Sequence, residues 1–235
     1  MKAIVALTLT FVMLFFSGCK PEEQPDDGGY GTYNGHDYVD LGLPSGTLWA
    51  TSNVGANATE DYGDYFSWGE TTTKPDYSWS TYKYCDGDDH HLTKYCNEAA
   101  YGIDGFTDDL TVLQPADDAA TFYWGDGWCM PTDAQWKELK ECTNSAWVTQ
   151  NGVKGRLFTA LDDSSSLFLP AAGYYYEGEP YAIGTGGGYW SSSLRTDYAY
   201  DAQSFGFNAE DYNVNGRFRV SGYTVRPVVV LGAMD

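Results

Sequence analysis

Residues 128–136 read WCMPTDAQW and contain the strongest local signal in the chain. Pro131 is typical of the position where a helix starts, and Thr132 is followed three residues later by Gln135. This spacing forms a capping box, in which the Thr132 hydroxyl accepts one free backbone amide and the Gln135 side chain reaches back to another. Apolar side chains then recur on one side of the segment, so we predict a helix over residues 132–142.

The rest of the chain reads mainly as short strands. A second short helix is predicted at residues 117–123, where two aspartates precede an apolar segment and favour the positive end of a helix dipole. Residues 57–116 show neither the helical period of about 3.6 residues nor the strand period of two, so we predict mostly loop there. Strand patterns occur at residues 38–41, 47–51, 156–158, 167–169, 188–190, 198–207 and 225–231. One or two short helices with many short, mostly antiparallel strands predict a loop-rich α+β domain.

The composition narrows the range of partners. The chain has 33 acidic and 13 basic residues and a net charge of −20, a balance that excludes nucleic acid and disfavours an anionic membrane surface. The acids favour solubility; the sharper alternative is a structural calcium site in an acidic loop such as residues 86–89, and no other cofactor is expected. The 20 tyrosines and 27 glycines indicate an irregular fold packed by rings, and exposed tyrosines are typical of recognition surfaces.

Residues 1–18 predict export. An uncharged run at residues 3–16 follows Lys2 and is too short to cross a bilayer comfortably, as is typical of a signal peptide. The next residues, Ser17-Gly18-Cys19, resemble a lipobox, in which the cysteine thiol is acylated and the chain is cut before it. The alternative is an ordinary signal peptide with an incidental cysteine. Several acyl chains together anchor a protein firmly in a membrane. We therefore expect an outer-membrane lipoprotein that contacts the membrane only through its lipid.

The remaining chain divides into a tether and one domain. Residues 19–33 are acidic and rich in proline and glycine, which predicts a flexible lipidated tether. Acidic residues directly after the cysteine resemble the surface-export signal of Bacteroidetes lipoproteins, which implies display at the cell surface. Residues 34–235 contain no internal repeat and no second linker, so we predict a single domain there.

Four further cysteines occur in the predicted domain, and export permits disulfides. Cys85 and Cys96 flank a polar loop, and we expect them to form a bridge. Cys129 and Cys142 flank the predicted helix, whose length of ~15 Å or more exceeds the ~7 Å limit for a bridge, so we expect them not to pair. The cysteines and histidines lack the paired spacing of a zinc site, and no metal site is assigned.

Five motifs occur in order along the chain: NGHDYVDLGLPSG at 34–46, WCMPT at 128–132, FLPAAG at 168–173, GYWSSS at 188–193 and GYTVRPV at 222–228. Together they resemble the Fibrobacter succinogenes major paralogous domain, which is abundant in secreted Bacteroidetes proteins. That domain is similar to the formylglycine-generating-enzyme branch of the C-type lectin fold, so the resemblance implies a C-type-lectin-like domain over nearly the whole mature chain. From the residues themselves, we expect Trp190 in the core and Arg226 buried against a carboxylate or backbone carbonyls.

We expect a binding module, because folds of this kind carry function on loops held by a rigid frame. Residues 193–215 mix rings and hydrogen-bonding groups with few aliphatic side chains, which suits an extracellular glycan or protein ligand. The alternative for each tyrosine is that it packs the core. The candidate ligand-binding residues are Arg195, Asp197, Tyr200, Asp201, Gln203, Asp211, Tyr212 and Asn213.

An enzyme is the less favoured alternative. The resemblance implies that oxidases of this branch use a cysteine pair in the C-terminal part of the domain, and no cysteine follows Cys142 here. The serines at 191–193 lack a nucleophile elbow, so we expect a non-catalytic protein with no catalytic residues. The remaining alternative is a structural or assembly subunit of a surface fibre or a glycan-uptake system.

Overall fold

The computed structural model describes residues 29–231, which form twelve β-strands, two α-helices and three short 3-10 helices. The predicted signal peptide, Cys19 and most of the tether lie outside the described residues. The helices are α1 Ala119–Trp124 and α2 Asp133–Glu141. The strands are β1 Tyr30–Tyr33, β2 His36–Asp40, β3 Leu48–Ala50, β4 Thr143–Gln150, β5 Val153–Ala160, β6 Ser166–Pro170, β7 Tyr174–Tyr176, β8 Glu179–Tyr181, β9 Gly187–Leu194, β10 Asp201–Phe207, β11 Tyr212–Phe218 and β12 Val228–Val229.

The strands form four sheets with the orders β1-β2-β3-β12, β11-β10-β9, β4-β5-β6 and β7-β8. Every strand pair within these sheets is antiparallel. Strand makes up 36% of the structure and helix 12%, so the α+β prediction is confirmed and the fold is strand-rich. Neither α-helix in the described part of the chain is long and apolar enough to cross a membrane.

Helix α2 begins as the capping box predicted. The Thr132 hydroxyl accepts the Gln135 amide at 3.2 Å, and the Gln135 side chain accepts the Thr132 amide at 2.9 Å. The buried Trp136 ring of this helix stacks on Phe205 of β10, with centroids 4.7 Å apart, and lies 4.6 Å from Trp49 of β3. These rings join α2 to two of the sheets in one core.

The two expectations for individual core residues are confirmed. Trp190 is fully buried in β9, and its indole donates to the Phe66 carbonyl at 2.7 Å. Arg226 is fully buried and donates to the Ala50 carbonyl at 3.0 Å and to Asn53 Oδ1 at 2.8 Å. A backbone carbonyl and an amide therefore bind this guanidinium, and among residues 29–231 it forms no ion pair.

Three predicted boundaries are wrong. The tether was predicted to reach Tyr33, but Tyr30–Tyr33 forms β1 and pairs with β2. Within the candidate recognition surface at residues 193–215 only residues 198–207 were predicted as a strand, but most of the surface belongs to β9 and to the hairpin of β10 and β11. The last predicted strand shrinks to Val228–Val229. Strands β1, β4, β7, β8 and β11 were not predicted. Of these, β1 and β11 lie at sheet edges, where polar and glycine residues replace the apolar alternation of a buried strand.

The predicted bridge between Cys85 and Cys96 is absent, because both are free thiols. The Cys85 thiol donates to the Trp79 carbonyl at 3.1 Å, and the Cys96 thiol donates to the Glu98 carbonyl at 3.2 Å. Each sulfur therefore has its own backbone partner. Cys142 lies at the C-terminal end of α2, where the helix-length argument placed it.

We predict that Thr132→Ala lowers the free energy of unfolding by about 1 kcal/mol, because it removes the cap of α2. Thr196→Ala, at an exposed position, is the matched control and should change stability by less than about 0.5 kcal/mol. Chemical denaturation of both variants measures the difference. An equal midpoint for the two variants would show that the cap does not contribute.

Candidate functional site

A cleft of about 520 Å³ lies beside the hairpin of β10 and β11. Strand β11 lies at the edge of its three-stranded sheet, so the cleft is open along that side of the hairpin. The residues that give the cleft its shape and chemistry are Tyr174, Gly188, Gly206, Asn213, Asn215 and Arg217. The volume is in the range of small-ligand sites in proteins.

Glycines let the backbone pack closely at the floor of the cleft. A side chain at Gly173 would collide with the Tyr181 carbonyl, and one at Gly187 would collide with the Phe207 ring. Gly206 differs, because an added Cβ there would meet only the Gly187 carbonyl, at 3.9 Å. Gly206 is therefore the floor position from which a longer side chain would fill the cleft without disturbing the fold.

One wall of the cleft is built by the alternation of β11. Asn213, Asn215 and Arg217 line the cleft, while the alternate residues Tyr212 and Val214 pack against the core. In the hairpin, Asn213 pairs with Gly206 and Asn215 with Ser204, so small floor residues face the polar wall. Two amides and a guanidinium thus lie in a row along one side.

The turn between β10 and β11 carries acidic groups at one end of the cleft. The Asn208 side chain accepts the amides of Glu210 and Asp211, both at 2.8 Å, and fixes this turn. Glu210 and Asp211 both line the cleft. The cleft therefore has acids at the turn and a cation, Arg217, towards the far end of β11.

The structure separates the predicted ligand residues into different places. Asp211, Tyr212 and Asn213 line the cleft, and this part of the candidate site is brought together. Tyr212 also packs on Phe158, and the Arg156 guanidinium lies 4.2 Å above its ring, so it supports the wall as much as it forms it. Gln203 is half-buried and does not line the cleft.

The other predicted residues form an ion-paired cluster beyond the end of β9. Arg195 donates to Asp201 at 3.1 Å, reaches Asp197 at 3.5 Å and lies 4.5 Å above the Tyr198 ring. Asp201 is 7% exposed, and burial raises the pKa of its carboxyl while Arg195 opposes that rise. Arg195 therefore compensates a buried charge, which is a structural task.

Tyr200 belongs to an aromatic cluster on the same side of the molecule. Its ring lies 5.0 Å from Tyr101, 5.6 Å from Tyr198 and 5.9 Å from Phe218. Tyr198 and Phe218 are both more than two-fifths exposed. These rings pack against one another and do not line the cleft.

The acidic loop brings carboxylates and imidazoles together. Asp89 contacts His90 at 2.6 Å and Asp88 contacts His91 at 2.7 Å. The His90 amide donates to Asp88 and, with the His91 contact, lowers the pKa of that carboxyl. Ligand atoms of Asp88, Asp89 and His90 lie within 4.8 Å of one another on an exposed surface.

The serine run has structural contacts. The Ser193 amide donates to Ser191 Oγ at 3.0 Å, and the Ser193 hydroxyl contacts Asp133 of α2 at 3.2 Å. All three serines at 191–193 are buried in β9. Their polar atoms therefore connect the strand to the start of α2.

The sequence prediction did not name three residues that define the cleft: Gly206 and Asn215, which lie inside the predicted surface at 193–215, and Arg217, which lies outside it. Their signal was the period of two at residues 213, 215 and 217, which marks one face of a strand. The prediction assigned no strand to this segment, and a period of two has no structural meaning in a loop.

No known protein family, curated protein or solved structure matches this chain.

We predict that Arg195→Gln lowers the free energy of unfolding at pH 7 by about 2 kcal/mol, because it leaves the buried Asp201 carboxylate without its cation. Losing Arg195 raises the pKa of Asp201 further above its unfolded value. The loss of stability should therefore be smaller at pH 4 than at pH 7, because the raised pKa favours protonation of Asp201, which removes the uncompensated buried charge.

Lys137→Gln is the matched control for this variant, since it breaks the more exposed pair with Asp133. It should cost less than about 1 kcal/mol. Denaturation curves at both pH values measure the two effects. Equal losses in the two variants would contradict a structural role for Arg195.

Proposed function

We propose that this chain is a non-catalytic binding module displayed at the cell surface. In this proposal Cys19 is acylated, holds the protein in the outer membrane, and leaves the domain free to recognise an extracellular ligand. The domain has a C-type-lectin-like fold, which is supported by the five ordered motifs and is consistent with the strand-rich α+β architecture. The cleft beside β10 and β11 is its binding site.

The observation that carries the proposal is the composition of the cleft. Asn215 can donate and accept hydrogen bonds, as recognition of sugar hydroxyls requires, and Asn213 can donate through its amide nitrogen while its Oδ1 accepts from Lys140 at 3.2 Å. Tyr174 and Tyr223 add aromatic walls, and the glycine floor leaves room for a ring against the backbone. A cleft of about 520 Å³ favours a glycan or a chain end over a flat protein surface.

The way the hairpin is built supports a ready-formed site. Core packing of Tyr212 and Val214 fixes the strand, and the fixed strand aims Asn213, Asn215 and Arg217 into the cleft. Side chains on a rigid strand lose little freedom when a ligand binds, which lowers the cost of binding. We therefore expect the ligand to bind without a large rearrangement.

We predict that Gly206→Leu abolishes ligand binding and leaves the fold intact, because the new side chain fills the cleft from its floor. Gly206→Ala adds only a Cβ and should weaken binding less. A glycan and mucin array, probed with the wild type and both variants, measures the effect. Thermal unfolding of each variant checks the fold, and full binding by a folded Gly206→Leu would place the site elsewhere.

We predict that Cys19→Ala abolishes lipid attachment. Metabolic labelling with an alkyne fatty acid should mark the wild type and not the variant. Cys142→Ala removes a thiol inside the domain and should label like the wild type, which controls for loss of a cysteine. Equal labelling of the Cys19 variant and the wild type would rule out the anchor.

A further inference from the structure

We infer that the cleft selects an acidic sugar, whose anionic group binds the guanidinium of Arg217. This inference rests on the proposed function of the cleft and specifies its ligand. It has three parts: the state of Arg217, the placement of the other charges, and the groups between them.

Arg217 is exposed in the cleft and has no carboxylate partner among residues 29–231. Its Nη1 donates to the neighbouring Gly216 carbonyl at 3.0 Å, and its side chain also hydrogen-bonds to the hydroxyl of Tyr223, which is neutral. The other four arginines are committed elsewhere. Arg195 is ion-paired, and the remaining three are buried and donate to backbone carbonyls: Arg156, Arg219 and Arg226.

An unpaired guanidinium is conspicuous in a chain with 33 acidic and 13 basic residues. The carboxyl that interacts with this charge is Asp201, whose pKa is raised by burial while Arg195 and, more weakly, Arg217 oppose the rise. The hydrogen bond of Asp201 goes to Arg195, at 3.1 Å from its Oδ2, and its Oδ1 is buried. The fork of Arg217 remains available, and its geometry matches a carboxylate or a sulfate group.

The acids of the cleft are too far away to neutralise Arg217. Asp211 precedes it by six residues of extended strand, which corresponds to about 20 Å at roughly 3.3 Å per residue. Charges at that separation in contact with solvent are largely screened from one another. Glu210 and Asp211 instead repel an anion from the turn, so the two ends of the cleft orient an acidic ligand in one direction.

Asn213 and Asn215 lie between these ends. The Asn213 oxygen accepts from Lys140 and from the Val214 amide, so Asn213 offers its amide donors and Asn215 offers a complete neutral amide where the uncharged part of such a ligand would lie. An acidic sugar at Arg217 followed by hydroxyl-bearing units towards Asn213 satisfies each group of the wall. A neutral glycan would leave the guanidinium without an anion, and a basic ligand would be repelled by it.

The test compares matched acidic and neutral glycans bound to the purified full-length protein. The pairs are sialyllactose with lactose, trigalacturonate with its methyl ester, and a sulfated galactan fragment with its desulfated form. We expect the acidic member of at least one pair to bind more tightly by roughly tenfold or more, and the pair concerned identifies the source of the anion.

Three variants locate the effect. Arg217→Gln should weaken the acidic glycan by roughly 10- to 100-fold and abolish the preference within the pair, while Arg217→Lys should retain part of it. Lys154→Gln removes the same charge at an exposed position outside the cleft and should bind like the wild type. An unchanged preference in a folded Arg217→Gln overturns the inference.

The outcomes also separate this inference from the function beneath it. Equal binding of acidic and neutral glycans by the wild type, lost in Gly206→Leu, overturns the acidic preference and leaves the glycan site standing. Binding of no glycan by the folded wild type overturns both. An acidic preference that disappears with Arg217 supports both.

Discussion

The buried guanidinium of Arg219 holds together two parts of the protein that share no sheet. Its Nη1 donates to the carbonyls of Tyr95 and Ala199, both at 2.8 Å, and its Nη2 donates to the Lys94 carbonyl at 2.9 Å. The carbonyls of Lys94 and Tyr95 belong to the long segment between β3 and α1, which contains none of the twelve strands. The Ala199 carbonyl lies two residues before β10. Each such charge-assisted bond contributes about 1.5–3 kcal/mol, and an unsatisfied buried carbonyl would cost a comparable amount. Because Arg219 directly follows β11, this contact also fixes the end of the cleft wall.

The hairpin of β10 and β11 serves the core and the cleft at once. Phe205 and Val214 pair across it and face the core, and Gly206 and Asn213 pair across it and face the cleft. A slip of one residue would exchange the two faces, placing polar amides in the core and apolar side chains in the cleft. Stacking of Phe205 on Trp136 therefore fixes the register that gives the site its chemistry.

The features that the sequence predicted are those whose signals are local. Helix α2 carries a cap, a reciprocal partner three residues later and an apolar face, all within a few turns of chain. The edge strand β11 was missed because its residues are polar on one face, as residues of a loop are. Arg195 was assigned to the ligand because it lies in a segment that mixes rings with hydrogen-bonding groups, whereas its partner is the buried Asp201. Composition did not distinguish a charge that compensates burial from one without an ion-pair partner, such as Arg217.

The alternation in β11 has a consequence for how this protein can evolve. Residues 213, 215 and 217 line the cleft, Val214 packs against the core, and Tyr212 packs against the core while also lining the cleft. Substitutions at the three cleft positions would change the chemistry of the cleft with little effect on the core, so recognition can change without a matching change in stability. A lineage that needs a new ligand can therefore sample many side chains on this strand and inherit the same scaffold unchanged.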